Sequence, residues 1–241
     1  MFYDIHCHIL PGIDDGARDM DESIQMALLA EQDNIEIAVA TPHHIPRSNL
    51  SGKRELEHLV TKINRAITKN EIQLTVVSGQ ENKITDDLLG SIKKEDSLLI
   101  GSSNYILVEA PFIDFPDYIH ETLSDLLDQN IRPILAHPER NALIQQDLSL
   151  LEKLKDKGIL IQSNTGSFIG HYGNESEATV KNMLENNLID VVASDAHTSS
   201  GIRVPNMSKG FNIIQNLTNE NKAFQLTSEN PHNIILGKTL I

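Results

Sequence analysis

Short apolar runs recur along this chain, and a histidine or an acid closes nearly every one. Ile35-Glu36-Ile37-Ala38-Val39-Ala40 leads to His43, and Leu74-Thr75-Val76-Val77 leads to Glu81. Tyr105-Ile106-Leu107-Val108 runs into Glu109, Pro133-Ile134-Leu135-Ala136 into His137, and Val191-Val192-Ala193-Ser194 into Asp195 and His197. Runs of this length, rich in Val and Ile, read as strands. The pattern predicts strands near 2–6, 35–40, 74–78, 105–109, 132–136, 159–163 and 190–194. Between them the spacing turns helical: Leu56, Leu59, Val60, Ile63 and Ile67 line one face over 54–68. Asp19, with Glu22 three residues on, caps a helix ahead of Ile24, Ala27 and Leu28. Further helices are expected near 117–128, 147–157, 175–187 and 206–216, with loops at 44–53 and 165–175. Ser228-Glu229-Asn230-Pro231 reads as the start of a last short helix.

Strands alternating with helices make repeated βα units and a mainly parallel sheet. The expected architecture is α/β, a distorted (β/α)7 TIM-like barrel. No linker, repeat or low-complexity segment divides the chain, so a single domain is expected over 1–241. An open doubly wound sheet is the alternative, but it gathers its ligand residues at one switch point rather than after every strand. In a barrel the C-terminal ends of parallel strands meet at one rim. There His6, His8, His43, Glu81, Glu109, His137, Asp195 and His197 would converge. One polar residue after a strand is commonplace, whereas the whole set implies a multinuclear metal centre.

Residues i and i+2 share a strand face, so His6 and His8 can grip one ion, and imidazole suits zinc, iron and manganese alike. His-x-His alone is as readily two surface histidines. Asp195 and His197 repeat the spacing. Glu81 and Glu109 would ordinarily be solvated, yet each follows an apolar run where an unpaired charge is costly. Asp4 and Asn164 could support the centre or serve as cap and turn residues. His44 is expected at the rim, and His58, His120, His171 and His232 on the surface.

Composition narrows the function. With 241 residues and 39% of them apolar, the core needs neither metal nor disulfide to form. The formal net charge of −14 argues against nucleic-acid binding. Bound cations can reverse that sign locally, so a phosphate substrate stays open. The one cysteine, Cys7, fits a reducing compartment. A cysteine-phosphatase loop, Cys-x5-Arg, would need arginine where Ile13 stands, so Cys7 reads as a buried thiol. Neither a basic leader nor a long apolar run is present, so a cytoplasmic protein without membrane insertion is expected.

Asp4-Ile5-His6-Cys7-His8, Thr41-Pro42-His43, Gly79-Gln80-Glu81, Val108-Glu109, Ala136-His137-Pro138-Glu139-Arg140 and Ala193-Ser194-Asp195-Ala196-His197 occur in that order. Together they resemble the polymerase-and-histidinol-phosphatase (PHP) superfamily. The run from Asp4 through Pro11-Gly12-Ile13-Asp14-Asp15-Gly16 is similar to the metal-dependent protein-tyrosine phosphatases encoded with capsule and exopolysaccharide genes of Gram-positive bacteria. The resemblance implies a distorted barrel with two to three divalent ions, commonly Mn2+, with Zn2+ or Fe as alternatives. It carries the ligand role to His6, His8, Asp15, His43, Glu81, Glu109, His137, Asp195 and His197. Arg140 and Arg203 match its phosphate-binding arginines. Asn82 departs from the apolar residue expected after Glu81.

The implied reaction is one-step hydrolysis of phosphotyrosine by a metal-bound hydroxide, on a cognate bacterial tyrosine kinase or its substrates. Four carboxylates against three divalent ions leave a charge of +2, complementary to a phosphate monoester at about −1.5 to −2. A phosphatase for histidinol phosphate or another small monoester is the alternative, and a nuclease is disfavoured by the acidic surface. A barrel amidohydrolase would place a carbamylated lysine where Glu109 stands. A non-catalytic binding module would have no use for the complete ligand set.

Overall fold

All strand pairings among the described residues, 1–44 and 52–240 of this computed structural model, are parallel. β1 (Phe2–Cys7), α1 (Met20–Gln32), β2 (Ile35–Ala40), α2 (Lys53–Lys69) and β3 (Thr75–Ser78) build a sheet of order β1-β2-β3. A second sheet, β4-β5-β6-β7-β8, holds β4 (Glu81–Lys83), β5 (Tyr105–Glu109), β6 (Arg132–Ala136), β7 (Leu160–Asn164) and β8 (Val191–Ala193). Its connections carry α3 (Leu88–Lys93), α4 (Asp117–Asp128), α5 (Ala142–Gln146), α6 (Ser149–Asp156), α7 (Thr165–Phe168) and α8 (Asn174–Glu185). The chain ends in α9 (Met207–Leu217), α10 (Glu220–Phe224), a π-helical turn at Gln225–Glu229 and α11 (Asn230–Ile235).

The first sheet meets the second at both edges of the latter, β4 and β8. A parallel bridge joins His43, beyond β2, to Glu81 on β4, and another joins Cys7 on β1 to Ala196 beyond β8. Ser194 reinforces the second junction, its N–H donating to Asp4 Oδ1 at 3.0 Å and its hydroxyl to Asp4 Oδ2. Asp4 is therefore a buried structural carboxylate, and burial raises its pKa to about 6 against the pull of those bonds. Ile5, Val39, Leu107, Ile134, Val191 and Ala193 form an apolar interior shared by both sheets. Met26, Leu56 and Ile63 pack from the helices against the outer face of β1–β3, where Cys7 also lies. Cys7 thus points away from its neighbouring histidines, as the strand alternation predicts.

The expected strand at 74–78 continues as a second piece, β4, after a break at Gly79-Gln80. A Cβ on Gly79 would lie 2.6 Å from Val39 Cγ1, so only glycine lets the chain cross there. Asn82 secures the break by donating from Nδ2 to the carbonyls of Gln80, Leu98 and Leu107 at 2.9, 3.1 and 3.2 Å. That is why a polar residue stands where an apolar one is expected. Asp19 caps α1 by accepting from Glu22 N, while the Glu22 carboxylate accepts the Arg18 N–H, one residue earlier than in a capping box. The expected loop at 165–175 contains α7, and residues 45–51 of the expected loop at 44–53 lie outside the described residues. No helix among the described residues is long and apolar enough to cross a membrane.

Candidate metal centre

His6 and His8, both fully buried, leave β1 with their Nε2 atoms 3.2 Å apart. Glu81, at the first residue of β4, sets Oε2 3.4 Å from each of those nitrogens and 2.9 Å from His43 Nδ1. Its other oxygen meets His137 Nε2 at 2.9 Å, and Glu109 Oε1 lies 3.9 Å from that nitrogen. Asp195 Oδ1 lies 3.5 Å from His6 Nε2 and 3.6 Å from His8 Nε2. Asp15, mostly exposed, places Oδ1 3.4 Å from the Nε2 atoms of both His43 and His197. The fold thus brings seven of the nine candidate residues into three overlapping groups: His8, Asp15, His43 and His197; His6, His8 and Glu81; His43, Glu81 and Glu109. His137 and Asp195 adjoin these groups through Glu81 and through His6 and His8.

The donor set suits divalent cations. Glu81 Oε2 has three imidazole nitrogens around it yet hydrogen-bond geometry to none, and buried His197 Nε2 likewise has no hydrogen-bond partner. Buried polar atoms left unsatisfied are costly unless something else satisfies them. His137 (φ 33°) and Asp195 (φ 52°) leave their strands in the left-handed region. Such backbone costs about 1–3 kcal/mol in a non-glycine residue and concentrates at functional sites.

A further layer holds these side chains in place. Asp14 Oδ2 binds His8 Nδ1 at 2.7 Å and accepts the His43 N–H at 3.0 Å. Gly16 is needed beside it, since a Cβ there would lie 2.2 Å from the His8 carbonyl oxygen. β7 contributes no candidate ligand but a chain of amides. Gln162 Oε1 accepts from His6 Nδ1 (3.0 Å), Gln162 Nε2 donates to Asn164 Oδ1 (2.8 Å), and Asn164 Nδ2 donates to Asp195 Oδ2 (2.7 Å). Buried Glu139 anchors this chain by accepting from Asn164 N and Ser167 Oγ at 2.9 and 2.6 Å. Neither Asp14, which stands beside the matching Asp15, nor Gln162 is marked as functional by the sequence pattern. The i, i+2 polar pair Gln162 and Asn164 at the end of an apolar strand was the signal available. Gln162→Leu is expected to weaken divalent-metal affinity about 10–100-fold, as for loss of a group that orients a ligand. A competition titration with a chromophoric chelator measures it, and unchanged affinity would remove Gln162 from this role.

Carboxylates and imidazoles in the cluster shift one another's protonation. Burial lowers the pKa of His6, His8 and His43, but neighbouring carboxylates outweigh it and raise all three, with His8 reaching about 10 through Asp14 and Glu81. His197 falls to about 2, through burial and then the charge of His8. Glu81 stays well below the usual carboxylate range, because the surrounding imidazoles outweigh its burial. Glu109 is raised, by burial and then by Glu81. A histidine must lose its proton to ligate a cation. Metal uptake near pH 7.5 should therefore release protons from the groups with raised pKa, and affinity should climb with pH until His8 is neutral near 10. Calorimetry in buffers of differing ionisation enthalpy reads this directly. Net proton uptake on binding would contradict it.

Both candidate arginines reach the same carboxylate. Arg203 Nη2 lies 3.1 and 3.2 Å from the two oxygens of Asp195, and Arg140 Nη1 lies 3.5 Å from Oδ2. Arg140, in the 3-10 turn Pro138–Arg140, sits with its guanidinium 4.5 Å from the Phe112 ring centroid and 4.3 Å from that of Tyr172. The Tyr172 hydroxyl donates to Asp195 Oδ2 at 3.3 Å. Burial, then the Asp195 charge, pushes its pKa up to about 12. Neither aromatic residue stands out in the sequence. His44 lies beside Ser97 Oγ at 3.5 Å, and His58 is exposed. His120 packs on Phe115, His232 stacks on Tyr3 and His171 is half-buried, so these three are less exposed than expected.

Comparison with known proteins adds a family context. The family described as capsular polysaccharide synthesis, CpsB/CapC, matches residues 2–236. Tyrosine-protein phosphatase YwqE of Bacillus subtilis (strain 168) is 39% identical over 194 residues, covering 80% of this chain and 76% of that protein. Putative tyrosine-protein phosphatase CapC of Staphylococcus aureus is 36% identical over 198 residues, covering 81% and 76%. A solved chain from the crystal structures of YwqE and of CpsB from Streptococcus pneumoniae, described as metal-dependent tyrosine phosphatases, superposes with a TM-score of 0.94. It shares 33% identity and covers 99% of this chain and 96% of its own.

Proposed function

This chain belongs to the CpsB/CapC family of capsular polysaccharide synthesis, and from that premise we propose how its buried cluster works. The protein is a metal-dependent tyrosine-protein phosphatase of that family. Supporting this reading above all is the convergence of nine ligand-type side chains, seven in overlapping groups with His137 and Asp195 beside them, in a chain similar along its length to such phosphatases. His6, His8, Asp15, His43, Glu81, Glu109, His137, Asp195 and His197 would hold two to three divalent ions. Four carboxylates in the set favour manganese, although the intrinsic affinity order favours zinc. Bound there, such ions lower the pKa of water toward 7 and offset phosphoryl charge.

The remaining work falls to the protein. Arg140 and Arg203 would present planar, multi-donor guanidinium groups to the phosphoryl oxygens. Arg203, already paired to Asp195, would also hold that carboxylate in place. Asp14, Gln162 and Asn164 keep the imidazoles and Asp195 oriented as substrate enters. The departing phenolate of tyrosine, with a pKa of about 10, leaves more readily than a serine alkoxide. The two sheets would form one distorted seven-position barrel in a single domain, with β3 and β4 as halves of one position. The substrate would be a cognate bacterial tyrosine kinase or its targets in the cytoplasm.

The deciding experiment compares a phosphotyrosine peptide, histidinol phosphate and single-stranded DNA as substrates, with metal content measured on the same sample. Preference for the peptide, loss with chelator and recovery with Mn2+ are expected. Faster turnover of histidinol phosphate would replace this reading with the small-monoester one. Cys7→Ala should keep its turnover, because burial pushes the Cys7 thiol well above its usual pKa and holds it in the apolar core. Loss of all activity with metals retained would restore a thiol mechanism.

A further inference from the structure

Phe112 follows β5 at the rim, 41% exposed, yet it is not an isolated surface residue. Its ring stacks on that of candidate ligand His137, with centroids 5.8 Å apart and planes 23° from parallel, and it lies under the Arg140 guanidinium. Tyr172 presents the second ring to the same guanidinium. A cavity of about 330 Å³ opens here, lined by Phe112, Arg140, Gln145, Tyr172, Glu175 and Ser176. The next residue, Ile113, is 77% exposed, so the apolar surface continues outward from the arginine.

A phosphomonoester whose phosphoryl group is held by Arg140 must extend its organic part away from the buried cluster. The apolar surface that meets it there is aromatic. Resting on the phosphotyrosine reading above, the geometry points to Phe112 and Tyr172 as the residues that select aryl over alkyl phosphomonoesters, by packing the substrate's phenyl ring beside Arg140. Aromatic pairs prefer offset or edge-to-face contact, and the exposed part of the Phe112 ring leaves room for either. A serine or threonine side chain has no ring to offer and gains nothing from this wall. Tyr172 contributes its ring, while its hydroxyl is engaged with Asp195.

The test uses metal-reconstituted protein and two competitive inhibitors that lack a leaving group, phenylphosphonate and methylphosphonate, against phosphotyrosine-peptide turnover. Wild type is expected to bind phenylphosphonate at least about threefold more tightly, the lower range of an aromatic pair plus buried area. Phe112→Ala should bring the ratio of the two inhibition constants close to one, and Phe112→Tyr should restore it. Tyr172→Phe, which keeps the ring, should leave the ratio within about twofold of wild type, whereas Tyr172→Leu should lower it. Both constants rising together in Phe112→Ala, with the ratio unchanged, would overturn the proposal and reduce Phe112 to a prop for Arg140. Failure of wild type to hydrolyse the peptide would instead sink the functional reading itself, so the two failures are told apart by the same data set.

Discussion

Glu81→Ala is expected to empty the centre. Glu81 is the hub of the cluster: its two oxygens reach nitrogens of His6, His8, His43 and His137 between 2.9 and 3.4 Å, and it belongs to two of the three candidate metal groups. An anionic ligand shared between ions has no neutral substitute, because water would leave two like-charged cations facing each other across the gap. Groups that merely orient a ligand are worth about 10–100-fold in metal affinity, so removing the shared carboxylate should cost at least about 10²-fold. Elemental analysis after reconstitution should find less than one ion per chain, with phosphotyrosine turnover falling in parallel. Glu81→Gln keeps the shape and loses the charge, and should resemble the alanine variant if charge is what matters. Far-ultraviolet circular dichroism guards against simple unfolding. Wild-type metal content in a folded Glu81→Ala would remove the residue from the centre.

Arg140→Ala should lower kcat by about 10²-fold or more while metal content stays at the wild-type level, the scale expected for loss of one preorganised charge-stabilising donor. The separation is possible because the Arg140 side chain approaches the cluster at 3.5 Å from Asp195 and is flanked by two aromatic rings, while its backbone bond to the His137 carbonyl survives in alanine. Arg140→Lys should rescue poorly, since an ammonium lacks the planar fork and stacks less well on those rings. Turnover near wild type in Arg140→Ala would take the residue out of the reaction. Arg203 makes a useful contrast: bonded to both oxygens of Asp195, its replacement should disturb metal content and rate together.

Much of this was legible along the chain because ligand-type residues sit where strands end. Parallel strands of similar length bring those ends together without further specification. What stayed hidden depends on contacts between distant segments. Gln162 acts on His6 across 156 residues, and Tyr172 reaches Asp195 only because the segment between α7 and α8 folds back over the rim. Asp14 was obscured by its neighbour: adjacent carboxylates in a loop look interchangeable until their direction is known. The left-handed turns at His137 and Asp195 leave no mark in residue type, since histidine and aspartate adopt ordinary backbone far more often. The break between β3 and β4 is foreshadowed by Gly79, which reads equally well as a turn, and by the polar Asn82, whose partners lie on distant segments.

The junction that closes β1 against the end of β8 spans 190 residues of chain, from Asp4 to Ser194. His6 and His8 on the β1 side are therefore made long before the segment around Ser194 that completes their surroundings. Contacts this distant are reached late, because loop closure must be achieved before they can contribute. A chain cut before residue 195 keeps His6 and His8 but lacks the backbone bridge at Ala196 and the carboxylate of Asp195. Metal capture would then mark the last step of folding rather than its nucleus. During translation, the growing polypeptide would carry its histidine pair uncommitted until Asp195 and Ala196 have been made.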